Sequence, residues 1–138
     1  MGSLVVIMVV GIIIIGIVML AIIAMTRKKI PGLNQEEFRT KWMKIEGSLI
    51  DDEASGHLAI LNADKLLDTA LKARGFAGET MGERMKSARS TFSNNNAVWA
   101  AHKLRNQIAH ESDVSIKTKT VRYALKAFKK GLKDLGAL

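Results

Sequence analysis

Polar side chains crowd one short segment, Ala101-His102-Lys103-Leu104-Arg105-Asn106-Gln107-Ile108-Ala109-His110-Glu111, in a stretch otherwise rich in alanine and free of glycine and proline. His102, Asn106 and His110 recur every four residues, so a helix stacks them along one face with Arg105 beside them. Imidazole exchanges protons near neutral pH, and guanidinium grips phosphate or carboxylate through paired N–H groups. Proton transfer beside a bound anion is therefore the chemistry such a set could serve. Other chemistries lack their parts. The chain has no cysteine, which removes thiolate metal sites, iron–sulfur clusters and cysteine nucleophiles. It also has no Walker loop, Gly-x-Gly-x-x-Gly, His-Glu-x-x-His or Gly-x-Ser-x-Gly string, so nucleotide hydrolysis, dinucleotide binding, zinc proteolysis and serine hydrolysis have no support. His57, next to Leu58, has no evident partner in the sequence and reads as a satisfied or solvent-facing histidine.

The string Arg105-Asn106-Gln107-Ile108-Ala109-His110 resembles the signature of the HEPN superfamily, all-α domains marked by an arginine, a following polar residue and a histidine a few positions on. The position of the string, near the end of the penultimate helix and followed by Glu111, fits that resemblance. The resemblance covers Phe38 to Leu135 as a fold and is specific only at Arg105 to His110. It implies metal-independent RNA cleavage in a site formed where two copies meet across a dimer. There His110 moves the proton of a ribose 2′-hydroxyl or leaving oxygen, Arg105 holds the phosphate, Asn106 orients phosphate or imidazole, and His102 is accessory. No metal and no cofactor is implied. Many HEPN-like domains use the same residues as a hydrogen-bonded network that fixes helix packing at the dimer seam. In that alternative Arg105 pairs with Glu111 or with an acid on another helix, and His110 stands at a helix end, where positive charge is favourable.

The elements that hold this segment follow from periodicity. After Pro31-Gly32, Asn34 suits an N-cap with Glu36 and Glu37 in the first turn, and Phe38, Trp42, Ile45 and Leu49 give one apolar face. Asp51-Asp52-Glu53 opens a second helix, whose Leu58, Leu61, Leu67 and Leu71 keep helical spacing until Gly75 stops it. Thr80-Met81-Gly82-Glu83 has the form of a capping box for a short helix reaching about Ala88. Ser93-Asn94-Asn95-Asn96 can cap the motif segment from Ala97 to about His110, and Val121, Leu125, Phe128, Leu132 and Leu135 mark a last amphipathic helix. Trp42, Trp99 and Phe128 fall at core spacing. Period-two alternation is absent from the sequence, so the expectation is an all-α bundle of four to five helices over residues 34–138.

Ahead of the bundle, Leu4 to Met25 is 22 residues without a polar side chain, enough at about 1.5 Å per residue to cross a hydrocarbon layer of about 30 Å. Residues 1–26 read as one transmembrane helix rather than a signal peptide, which carries a basic start, a shorter apolar run and a small-x-small cleavage site. Gly11 and Gly16 are five apart and miss the spacing for close helix pairing. Arg27, Lys28 and Lys29 follow at once in a linker over residues 27–33, which places the bundle in the cytoplasm and the N-terminus outside. All 21 basic and 13 acidic side chains lie beyond Met25, giving a net charge of +8 on that side of the span.

Much of this excess sits near the C-terminus. Residues 112–138 carry seven basic and two acidic side chains, and Arg122, Lys126, Lys129 and Lys133 recur at steps of four, three and four. This cationic stripe beside the apolar stripe of the last helix could track RNA, lie on anionic lipid headgroups, or simply be solvated. The sequence thus describes a single-pass membrane protein whose cytoplasmic helical domain is a dimerising interaction module, with a tethered ribonuclease as the alternative. Its expected partners are the bilayer, a second copy of the chain, and RNA or anionic lipid, with no small-molecule cofactor.

Overall fold

The computed structural model describes residues 2–26 and 32–138. The expected linker and its Arg27, Lys28, Lys29 and Pro31 therefore lie, except for Gly32 and Leu33, outside the described residues. The described chain contains six helices and no strand: α1 (Gly2–Thr26), α2 (Gln35–Gly47), α3 (Glu53–Ala73), α4 (Met81–Ser87), α5 (Asn95–His110) and α6 (Thr118–Asp134). The protein is all-α, one apolar N-terminal helix followed by a five-helix bundle.

Helix α1 is apolar on every side, and its large side chains from Leu4 to Ile23 are exposed. Gly2–Ile23 has a mean hydropathy of 3.4 and is long and apolar enough to span a membrane. A helix apolar all round suits a lipid environment, since no polar face is left for water.

The bundle is organised by α3 and α6, which pack on each other, while α5 packs on both and α2 and α4 flank α3. The helix ends are set by local chemistry. Asn34 accepts from the Glu37 N–H, Asp52 from Ser55, Thr80 from Glu83 and Asn94 from Ala97, so four of the five bundle helices carry a side-chain N-cap. In α4 the box is complete, because the Glu83 carboxylate reaches back to the Thr80 N–H. The N–H groups of Glu79 and Thr80 hold the Glu83 carboxyl below its usual range. Helix α3 ends in a left-handed turn at Gly75 (φ 76°), where the Gly75 N–H bonds the Lys72 carbonyl and the Phe76 N–H bonds that of Leu71.

Phe38, Trp42, Ile45, Leu67, Leu71, Val121, Leu125, Phe128, Leu132 and Leu135 are buried as their spacing implied. Leu58 is the exception, 53% exposed, and Leu61 is only half-buried. The core side of α3 consists instead of Ala59, Ile60, Ala63, Leu66, Leu67, Ala70 and Leu71. Small alanines let α5 and α6 approach closely, and this turns the two leucines outward. Trp99 is half-buried rather than central.

Candidate functional site

The polar constellation of α5 is organised by an acid on α3. Asp64 lies between Ala63 and Leu67 on the buried side of that helix and is 3% exposed. His102, itself buried, sets Nδ1 2.8 Å from Asp64 Oδ1. Arg105 brings Nε to 3.2 Å from Asp64 Oδ2, an ion pair whose N–H is not aligned for a hydrogen bond. The Arg105 Nη1 donates to Asn106 Oδ1 at 3.0 Å, and Asn106 Nδ2 lies 3.4 Å from His102 Nε2. Every contact in this ring has one consistent assignment. With its Oδ1 occupied by arginine, Asn106 presents N–H to the imidazole, so His102 Nε2 is the acceptor and Nδ1–H donates to Asp64. The network therefore holds His102 as an oriented ring, with the edge of Trp99 against it at 5.9 Å between centroids.

Above the network lies a groove of about 380 Å³ lined by Leu58, Leu61, Asn62, Lys65, Asp68 and Met81 together with Asp64, His102 and Arg105. Its far wall is braced by Arg84, which is buried and donates to Asp68 and to the carbonyls of Gly78 and Glu79. Arg105 is the network member most open to this groove, with 36% of its side chain exposed.

His110 does not join this set. It is the last residue of α5, exposed, and neither lines the groove nor makes a hydrogen bond or ion pair among the described residues. Five residues separate it from Arg105, a turn of about 140° around the helix at 100° per residue. The string thus divides within one chain: His102, Arg105 and Asn106 converge on Asp64, while His110 stands at the helix end. Arg105 pairs with an acid of another helix, and Glu111 is exposed beyond the end of α5. No family model matches the chain, and no curated protein or solved structure is significantly similar to it.

The basic stripe lies on α6, with Arg122, Lys126 and Lys133 exposed. Lys129 is the exception. Its ammonium bonds Glu46 at 2.7 Å and sits over the Trp42 ring, and this bond holds the Glu46 carboxyl below its usual range. No group of three histidine, aspartate or glutamate side chains among the described residues converges to hold a metal ion. His57 is half-buried with Nε2 3.7 Å from Glu53 Oε1, too far for a hydrogen bond.

Sequence reasoning did not single out Asp64, the centre of the network. Its signal was present: Ile60, Asp64, Leu67 and Leu71 share one helical face, and a carboxylate inside an apolar stripe needs a cationic or N–H partner.

Proposed function

We propose that the chain is a single-pass membrane protein whose HEPN-like helical domain lies on the cytoplasmic face and works as a dimerising interaction module. One observation carries this reading. The groove over the motif contains Arg105 and His102 but not His110, and most of the polar groups of the network are engaged with one another. Asp64 fixes His102, and Asn106 occupies Arg105, so the set is built to hold α3 and α5 in register. The outward Leu58, with Leu61 and Met81 beside it, supplies the apolar surface that a second copy would cover. A leucine held half exposed at the rim of a satisfied polar network is a surface suited to association. The cytoplasmic placement draws on the basic cluster that follows the apolar helix.

The full chain in mild detergent is expected to run as a dimer by light scattering, and Leu58→Arg is expected to give a folded monomer. The competing reading is metal-independent RNA cleavage, with His110 of each copy completing the site of the other. It keeps one point in its favour, since Arg105 is partly open and His110 is accessible. RNA cleaved by the wild-type chain in the presence of chelator, and left intact by His110→Ala, would replace the module with the nuclease. An unchanged RNA substrate together with a Leu58-dependent dimer is the outcome expected here.

A further inference from the structure

The chain reaches the bundle at one particular end. Gly32 sits against the carbonyl of Ala73, at the end of α3, and the Gln35 side chain donates to the Gly136 carbonyl at 2.8 Å, just beyond α6. The bundle is therefore hung from the end where α3 and α6 finish. Thr26, the last residue of α1, is joined to Gly32 by six peptide steps, which reach at most about 20 Å.

Beside the acidic first turn of α2, with Glu36 and Glu37, the α6 face that runs from that end is basic. Lys133 lies about 5 Å along the chain axis from Gly136, and Lys126 about 15 Å, at 1.5 Å per residue. Lys126, Lys130 and Lys133 line a groove of about 600 Å³ between α6 and the first turn of α5, with Tyr123 at its side. Lys126 and Lys133 are exposed and form no ion pair among the described residues, and Tyr123 is 62% exposed. Two free ammonium groups beside an amphipathic ring, held within reach of a bilayer, match an interface of phosphate and carboxylate headgroups. We infer that the α6 face carrying Lys126, Lys133 and Tyr123 docks on anionic lipid headgroups of the membrane to which the chain is tethered. The inference rests on reading α1 as a membrane span. A lipid surface is favoured over RNA because the tether keeps headgroups beside this face permanently, whereas RNA must be captured from solution.

The test uses the full chain in lipid nanodiscs. Because the sequence has no cysteine, Asn96→Cys takes a single fluorophore on the exposed first turn of α5, and a headgroup-spin-labelled lipid serves as quencher. Quenching is expected to rise when phosphatidylserine replaces about 30% of the phosphatidylcholine, and to fall back in roughly 0.5 M salt. Each basic residue near an anionic surface strengthens attachment about fivefold, so Lys126→Gln with Lys133→Gln should lower the docked-to-free ratio about 25-fold. Should the pair disturb folding by circular dichroism, each single variant is read for its fivefold share. Millimolar inorganic phosphate is expected to leave docking intact, and displacement by it would reduce the face to a soluble-anion site. Equal quenching in neutral and anionic discs overturns the inference. So does single-stranded RNA binding that needs Lys126 and Lys133 while phosphatidylserine has no effect. A chain that does not co-elute with the discs refutes the membrane span instead, which keeps the two failures apart.

Discussion

Replacing Asp64 with alanine removes the carboxylate that accepts from His102 and forms an ion pair with Arg105, and the structure sets the size of the loss. The His102 bond, at 2.8 Å to a carboxylate that is 3% exposed, is a charge-assisted contact worth about 1.5–3 kcal/mol. The Arg105 contact is discounted. Its side chain is 36% exposed and its N–H misaligned, so solvent screens the pair and the loss there is at most about 1 kcal/mol. Asp64→Ala should therefore cost about 2–4 kcal/mol, or on the order of 10–25 °C in melting temperature for a bundle of about 100 residues. Urea unfolding followed by tryptophan fluorescence is the suitable assay, because Trp42 and Trp99 are the only tryptophans and both lie in the bundle. The α1 helix has no tryptophan and is silent in that signal. A double-mutant cycle with His102→Ala isolates the pair and should return a coupling of about 1–2 kcal/mol. Additivity within about 0.5 kcal/mol, or an Asp64→Ala protein as stable as wild type, would refute the reasoning that a satisfied network locks α3 to α5.

Asp134 gives a pH-dependent counterpart. Burial raises its carboxyl pKa, but the Ser93 N–H and hydroxyl and the Lys130 ammonium outweigh burial and hold it below the ordinary value of 3.8. A depressed folded value stabilises above the unfolded one and fades as pH falls through it. Asp134→Asn should thus cost about 1–2 kcal/mol at neutral pH and progressively less below about pH 4, measured by urea unfolding across that range. Gly78 has φ 149°, and a Cβ there would lie 2.6 Å from the backbone nitrogen of Arg84. Gly78→Ala is expected to cost about 3 kcal/mol or more, seen as loss of the cooperative melt, because neither backbone can yield.

Helix positions were legible because they depend on local chemistry. Asn34, Thr80 and Gly75 mark boundaries through bonds to residues two to four positions away, and Phe38, Trp42 and Phe128 reveal their burial by spacing. The site was only half legible, since it depends on which helices meet. The sequence places His102 and Asn106 one turn apart on α5, and nothing local says that Asp64, 38 residues earlier, faces them. Leu58 misled for a related reason. Its spacing matches Leu61 and Leu67, yet α3 turns its alanine-rich side to α5 and α6, so Leu67 and Leu71 pack while Leu58 is left outside. His110 shows the limit of motif reading, because an arginine and a histidine five residues apart diverge on a helix.

The face around Leu58 can be examined directly in the full chain, since the sequence offers no other thiol. With Leu58→Cys in the full chain in mild detergent, mild oxidation should produce a disulfide-linked dimer in high yield, while a cysteine at exposed Ala100 on α5 should not. Efficient cross-linking at Ala100 with none at Leu58 would contradict the account, placing the contact elsewhere and leaving the groove over Arg105 open.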